Sequence, residues 1–219
     1  MEITAALVKQ LRDMSGSGMM DCKKALQAND GDIKKAMDWL REQGMGKADK
    51  KAARVAAEGV VASYIHGNGR IGVLIEVNIE TDFAAKNEDF QAFAREMAMQ
   101  VAAMNPKYVQ PSEIPAEVLE HEKEVVRNQA LNEGKPAKVV DERIVPGRLE
   151  KFYNEVCLMN QNFIRDDSKT CDQVRRELIA KIGENVVVRR FVRYELGEGI
   201  EKKEENFACL LYTSDAADE

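Results

Sequence analysis

The chain has 219 residues, of which 44% are hydrophobic and 32% are charged, and its formal net charge at pH 7 is −6. This length and composition predict a globular protein of one or two domains with a real core. The negative charge argues against direct binding to nucleic acid, because phosphate contacts need a basic surface. No apolar run approaches the ~20 residues that span a bilayer, and the N-terminus lacks a signal-peptide pattern. We therefore expect a cytoplasmic protein that does not associate with membranes.

The first 45 residues predict three short helices. Thr4 is expected to cap the first helix, and the sequence SGSG at residues 15–18 separates it from the second. The sequence NDGD at residues 29–32 should begin the third helix, and Gly44 should end it. A unit of this size can form only a very small core.

Met19 and Met20 stand where the second helix begins, directly after a glycine. Flexible thioether side chains suit adaptable binding surfaces, which makes this pair a candidate for partner binding. The alternative is that both methionines fill the small core of the three-helix unit.

A linker and a β-hairpin follow. Residues 46–58 are rich in Lys, Ala and Arg and predict a helical linker with a solvated charged face. Two alternating apolar runs flank an Asn-Gly turn, which predicts a hairpin. Gly67, Gly69 and Gly72 match the G-x-G-x-x-G spacing of dinucleotide-binding loops. A strand rather than a helix follows them, so we interpret them as hairpin residues.

The octet ETDFAAKN at residues 80–87 connects the second strand of the hairpin to a helical run. Thr81 or Asp82 can cap that helix through a side-chain oxygen. Capping does not explain Phe83, a bulky apolar ring at a point where solvent is expected. Either Phe83 folds back onto its own helix as a staple, or it enters another protein as a wedge.

The second half of the chain predicts a helical hairpin over residues 114–156, with its turn at residues 132–136. Pro146 should kink or interrupt the return arm, because a regular helix would lose ~3 kcal/mol there. Residues 186–196 predict a strand that completes a small antiparallel sheet. One face of that strand should present Val186, Val188, Val192 and Tyr194, and the other should present Arg189, Arg193 and Glu195.

No residue pattern in the sequence indicates a catalytic site or a cofactor-binding site. Cys22, Cys157, Cys171 and Cys209 are scattered without a C-x-x-C spacing, which supports neither a metal site nor a disulfide framework. Neither histidine has a nucleophile nearby in the sequence. We expect a protein that is not an enzyme and that binds no cofactor or metal.

Two segments together resemble one known family. The sequence LRDMSGSGMMDCKKAL at residues 11–26 and the octet ETDFAAKN closely resemble bacterial translation elongation factor Ts, and residues 180–196 are similar to a strand of that family. The resemblance runs from about residue 2 to about residue 205. Ala84 stands where the family usually has valine, and Pro146 falls in a stretch that the family keeps helical. Residues 206–219 look atypical and are either a non-native end or a disordered tail.

The predicted strands and helices together indicate an α+β core, and the resemblance implies how the rest of the chain is arranged around it. A three-helix, ubiquitin-associated-like unit at residues 1–45 would bind a GTPase, the helical linker at residues 46–58 would follow, and a core at residues 59–205 would hold a small antiparallel sheet, covering helices and the helical hairpin. Since the chain has length for only one core subdomain, the resemblance also implies a homodimer that pairs two chains through the open sheet edge.

The implied function is guanine-nucleotide exchange on elongation factor Tu. Four residues would disturb the Mg²⁺ site of that GTPase: Thr81, Asp82, Phe83 and Ala84. A second contact would be made by Leu11, Met19, Met20 and Lys23. The alternative is a non-catalytic helical adaptor that binds a partner helix or peptide through the three-helix unit without changing any nucleotide.

Overall fold

A computed structural model describes residues 3–15 and 17–200, with the backbone alone for residues 44–50. Three helices come first: α1 (Ala5–Ser15), α2 (Met19–Ala28) and α3 (Ile33–Lys51). The backbone N–H of Leu7 donates to Thr4 Oγ1 at 3.3 Å, and that of Lys35 donates to Asp32 Oδ1 at 3.1 Å. These side-chain bonds satisfy amides that would have no partner at a helix start. The predicted three-helix unit and its two caps are confirmed.

The third helix does not end at Gly44, as the sequence predicted, but continues to Lys51. A helical glycine costs about 1 kcal/mol, which contacts elsewhere on the helix can offset. Such contacts exist, because α3 packs against a later helix, α9 (Cys171–Ile182), where Arg41 Nε lies 3.4 Å from Glu177 Oε1. The predicted helical linker over residues 46–58 is therefore helical only to Lys51.

A three-stranded antiparallel sheet forms the centre of the core. Its strands are β1 (Glu58–His66), β2 (Ile71–Ile79) and β5 (Val186–Glu195), in the order β1-β2-β5. The β1–β2 turn contains Gly67, Asn68 and Gly69 at φ values of 58°, 54° and 88°. Glycine and asparagine tolerate this left-handed conformation, so the predicted hairpin is confirmed.

The face alternation predicted for β5 is wrong beyond Val188, because the strand contains a β-bulge. Val77 pairs with Val188 but Glu76 pairs with Arg190, which leaves Arg189 as an extra residue. After the bulge, Arg193 points to the inner face, with its side chain only 9% exposed. Val192 and Tyr194 point to the outer face and are 38% and 70% exposed.

One acidic side chain holds both arginines at the bulge. Glu76 Oε1 lies 2.7 Å from Arg189 Nη1, and Glu76 Oε2 lies 2.7 Å from Arg190 Nε. Hydrogen bonds from Arg189, the larger contribution, and from Arg190 hold the pKa of Glu76 below its usual value.

The inner face of the sheet packs on α5 (Glu88–Met104), which follows the short helix α4 (Asp82–Ala85). The buried side chains of α5 lie on one helical face, at the spacing that the sequence predicts. They meet the alternate residues of β2 that point inward. The main core includes Val73, Ile75, Val77, Ile79, Phe90, Phe93, Met97 and Val101.

The predicted helical hairpin consists of α6 (Ala116–Asn132), α7 (Ala137–Val139) and α8 (Val145–Val156). A π-helical segment, Val140–Ile144, joins α7 to α8, and Pro146 lies in the first turn of α8. Proline lacks an N–H and its ring clashes with the carbonyl four residues earlier, so a wider turn before it relieves the conflict. The predicted interruption at Pro146 is confirmed as a π segment within a continuing arm.

The region between the hairpin and β5 has no element predicted from the sequence. It contains a two-stranded sheet, β3 (Asn162–Phe163) with β4 (Asp166–Thr170), and then α9. A buried amide ties this region to α5, since Gln100 Nε2 donates to Asn162 O at 3.0 Å and Gln100 Oε1 accepts from the Ile164 N–H at 2.9 Å. The fold is α+β, as predicted.

Three cysteines, Cys22, Cys157 and Cys171, are free and buried. Burial raises the pKa of Cys157 to about 11 and that of Cys171 to about 12, so both remain protonated thiols at neutral pH. Cys209 lies outside the described residues. Among the helices of the described part of the chain, none has the length and apolar character that a membrane span requires.

Candidate partner-binding site

The octet at residues 80–87 contains two helix starts rather than one. Thr81 is the N-cap of α4 and accepts the N–H of Ala84 through Oγ1 at 3.2 Å. Asn87 is the N-cap of α5 and accepts the N–H of Asp89 through Oδ1 at 2.8 Å. The prediction that Thr81 or Asp82 caps the long helix is therefore corrected, because a separate helical turn stands between them and α5.

This single turn decides which side chains of the octet face solvent. Ala84 and Ala85 lie on the core side and are 6% and 8% exposed. Phe83 lies on the opposite side and is 85% exposed. A ring with this exposure packs against neither α4 nor α5, so the staple interpretation fails and the ring projects into solvent.

Asp82 is the other exposed side chain of α4. Its Oδ2 lies 3.1 Å from Lys86 Nζ, and the two side chains are 73% and 77% exposed. An exposed pair one helical turn apart contributes only about 0.3–0.5 kcal/mol. Asp82 can therefore leave Lys86 for another cation or hydrogen-bond donor at little cost.

Thr81 directly precedes this exposed tip, which we define as Asp82 and Phe83, and is bound to another part of the chain. Its backbone N–H donates to Glu184 Oε2 at 3.1 Å, and its hydroxyl donates to Glu184 Oε1 at 2.9 Å. One hydroxyl thus caps α4 as an acceptor and binds a carboxylate as a donor. The base of α4 is tied to the loop that precedes β5.

Ala84 was predicted to act together with the tip. The structure places its side chain in the main core, and its predicted role at the partner interface stays a prediction. The small methyl group lets α4 lie close to the sheet, which turns Phe83 outward.

The second predicted contact lies on the three-helix unit. Met19 and Met20 are 47% and 66% exposed, so they are not core residues. Lys23 is exposed one helical turn further along α2. Leu11, in contrast, is fully buried in the core of the unit together with Leu26. Its predicted contact with a partner is therefore not visible on the surface of the free chain and stays a prediction.

The described residues contain no cluster of three or more His, Cys, Asp or Glu side chains arranged to hold a metal ion. The ring of His66 lies against Tyr64, with Nδ1 3.0 Å from the tyrosine Oη. A cleft of about 730 Å³ lies beside the start of α9. Three of the charged residues that line it pair with one another, since Asp172 Oδ1 lies 2.6 Å from Arg175 Nη2 and Asp172 Oδ2 lies 2.6 Å from Arg176 Nε.

Burial raises the pKa of Asp172, but the adjacent guanidinium groups outweigh burial, and the net effect is a pKa below the usual value. A carboxylate held ionised in this way is a structural ion pair rather than an acid or base ready for proton transfer.

Fold and site together define an α+β protein in which a three-helix unit precedes a small sheet covered by helices, with apolar side chains exposed on two helical segments. The family model described as Elongation factor TS matches residues 47–198. Proteins called Elongation factor Ts from Desulforamulus reducens and Acetivibrio thermocellus are each 61% identical, over 208 and 206 residues. These matches cover 95% and 94% of this chain, and 95% of each relative. A third such protein, from Heliobacterium modesticaldum, is 58% identical over 206 residues.

The chain therefore belongs to the elongation factor Ts family, which places it among the factors of translation elongation in protein biosynthesis.

The exposure of Phe83 leads to a stability prediction with an internal control. Phe83→Ala should change the free energy of unfolding by less than about 0.5 kcal/mol, because the ring makes few contacts in the folded chain. Phe90→Ala, which removes a fully buried ring seven residues later, should cost about 3–5 kcal/mol. Urea denaturation of both variants measures the difference. Equal losses would show that Phe83 packs in the native state and would contradict its exposure.

Proposed function

We propose that this chain is a guanine-nucleotide exchange factor for the GTPase elongation factor Tu, acting in the cytoplasm. The observation that supports this best is the exposed tip, because an 85% exposed phenylalanine stands on a helix fixed at its base by Glu184. Exposed aromatic side chains on rigid supports are typical anchors of protein interfaces. The proposed partner follows from family membership together with this geometry.

The energetic principle of exchange is linkage. If the chain binds the nucleotide-free GTPase more tightly than the GDP-bound form, it must weaken GDP binding by the same factor. The chain then needs no covalent chemistry, no bound cofactor and no nucleic-acid contact of its own. The free energy of binding to the nucleotide-free GTPase is what weakens GDP binding.

In this proposal Phe83 enters an apolar space in the GTPase near its bound Mg²⁺, and Asp82 follows it. Burying a phenylalanine ring contributes roughly 1.5–3 kcal/mol, which can stabilise an otherwise unfavourable conformation of the partner. A carboxylate moved towards the magnesium ligands would disturb the coordination, and the phosphates of GDP would lose their main neutralising charge. The weak pair with Lys86 leaves Asp82 free to move in this way.

Met19, Met20 and Lys23 provide a second contact in the proposal, which sets affinity rather than rate. Two flexible thioether side chains cover an apolar surface on the partner, and the lysine ammonium lies at its rim. Leu11 and Ala84 support these two contact surfaces from the core side.

Exchange activity tests the proposal directly. With catalytic amounts of the chain, release of a fluorescent GDP analogue from purified elongation factor Tu should accelerate. Phe83→Ala should lower the exchange efficiency by about ten- to a hundredfold, since 1.4 kcal/mol corresponds to a factor of ten. Binding without acceleration by the parent chain would contradict exchange and support the helical adaptor alternative.

Magnesium provides the mechanistic control for this experiment. If the tip acts by loosening the metal, the acceleration factor should be large at millimolar Mg²⁺ and should shrink when the ion is chelated. An acceleration factor that does not depend on Mg²⁺ would contradict the metal part of the mechanism and leave exchange itself intact.

The surface formed by Met19, Met20 and Lys23 leads to a separate prediction. The double variant Met19→Ser, Met20→Ser should raise the half-saturating concentration of the chain, because it removes exposed apolar surface from a contact. The maximal exchange rate should fall much less than with Phe83→Ala. Leu11→Ala is the matched core variant and should lower the thermal midpoint, at about 2–5 kcal/mol of stability. A methionine variant that melts early would contradict the outward-facing assignment.

We infer that two copies of the chain pair through the outer face of the sheet. This face presents apolar side chains that a monomer would leave in water, among them Val61, Ile65, Leu74, Val192 and Tyr194, with exposures of 65%, 65%, 49%, 38% and 70%. Exposed apolar patches of this kind mark association sites. Pairing by face covers the patch, whereas pairing by the edges of β1 or β5 would leave it exposed, so the face is a better candidate than the edge that the sequence suggested.

Light scattering at micromolar concentration should give twice the chain mass for the parent protein. Leu74→Lys, at the centre of the patch, should give the mass of one chain, because face-to-face packing would bury the new charge. The matched control is Val118→Lys on α6, where valine is 39% exposed, and it should remain paired. A parent monomer would contradict pairing, and a paired Leu74→Lys variant would favour the strand edge.

A further inference from the structure

Residues 183–185, which we call the anchor turn, lie between α9 and β5 at the end of the sheet where α4 begins. The strand register brings Glu58, Ile79 and Val186 side by side. The segment before β1, the segment after β2 and the turn before β5 must therefore meet at this end of the sheet. The anchor turn contacts both of the other segments.

The first contact holds the base of the exposed tip. Glu184 accepts both the N–H and the hydroxyl of Thr81, at 3.1 and 2.9 Å. The backbone N–H of Asn185 donates to Glu80 Oε1 at 2.6 Å. Two successive residues of the turn thus fix the two residues directly before α4.

The second contact holds the segment that leads from the three-helix unit. Lys51 Nζ, at the end of α3, donates to the carbonyl oxygen of Gly183 at 2.6 Å. The Asn185 side chain is 1% exposed, and its Nδ2 donates to Arg54 O at 2.8 Å and to Ala52 O at 3.4 Å. These partners are 131 to 133 residues away in sequence.

Glycine at position 183 makes this arrangement possible. It ends α9 with a φ of +91°, which L side chains rarely adopt, and so turns the chain sharply. As a result the Gly183 carbonyl oxygen faces Lys51, and Glu184 and Asn185 reach the residues directly before α4.

We infer that Glu184 and Asn185 are positioning residues for nucleotide exchange: the Glu184 side chain fixes the tip, and the Asn185 side chain fixes the approach of the three-helix unit. The inference rests on the proposed function. Because the two side chains bind different segments, their loss should change different kinetic parameters. Without the Glu184 side chain the tip can move, so it is no longer preorganised to disturb the partner. Without the Asn185 side chain the segment after α3 can move, so the tip and the three-helix unit no longer bind the partner at the same time.

The test is a full exchange titration against elongation factor Tu. Glu184→Ala should lower the maximal rate about fivefold with little change in the half-saturating concentration, as expected when two hydrogen bonds to one carboxylate are lost. Glu184→Gln keeps one acceptor oxygen and should lie between Glu184→Ala and the parent. Asn185→Ala keeps the backbone bond to Glu80 and should raise the half-saturating concentration with little change in the maximal rate. Glu117→Ala, an exposed carboxylate on α6, is the control and should match the parent.

A double-mutant cycle covers the case in which Glu184→Ala fails to fold. Thr81→Val and Glu184→Gln act on the same contact, so their combined effect on the maximal rate should be smaller than the product of the separate effects. Independent effects would overturn the positioning role.

Phe83→Ala, measured in the same assay, separates this inference from the proposed function. If that variant loses exchange while the folded Glu184 and Asn185 variants match the parent, the inference is wrong and the proposed function stands. If the parent chain does not accelerate GDP release, the proposed function fails and the inference fails with it.

Discussion

The antiparallel register of β1, β2 and β5 is the constraint on which the other features depend. Backbone hydrogen bonds across three strands place Glu58, Ile79 and Val186 in one row, and every segment attached at that end of the sheet must start from there. The linker from α3, the short helix α4 and the anchor turn are therefore neighbours, although they come from distant parts of the chain. A shift of one residue in this register would turn each inward side chain outward and would dissolve the arrangement.

The exposed tip shows how a protein with a small core can present the large apolar side chain of Phe83 to solvent without losing stability. The α4 helix has a single turn, and two alanines occupy its core side. Their small volume lets the turn lie against the sheet, so the phenylalanine between Asp82 and Ala84 has no inward position available. Caps at Thr81 and Asn87 satisfy the backbone amides at the two neighbouring helix starts. The Phe83 ring contributes little to the free energy of folding. The free energy of burying it is therefore available for binding a partner.

The β-bulge in β5 shapes the outer face of the sheet. Without the extra residue at Arg189, Arg193 would point outward and Tyr194 inward. The bulge reverses both, so that Val192 and Tyr194 join Leu74 on the exposed face while Arg193 points to the inner face. Glu76 binds both arginines at the irregular point and offsets the lost ladder contact there with charge-assisted hydrogen bonds.

Local structure could be predicted from the sequence: the three N-terminal helices, the Asn-Gly hairpin, the helical hairpin and the interruption at Pro146. Periodicity, caps and turn residues act over a few positions, so they can be read along the chain. The sequence also singled out Phe83, Met19 and Met20, because each is a bulky apolar residue at a helix start.

The tertiary structure set the features that depend on contacts between distant residues. It extended α3 past Gly44 through packing on α9, placed Leu11 and Ala84 in the core, reversed the faces of β5 at a bulge held by Glu76, and brought Glu184 to Thr81. Thr81 and Glu184 are 103 positions apart in sequence, and Glu76 and Arg189 are 113 positions apart. No local pattern encodes such a pairing, since it arises only when three strands align in one sheet.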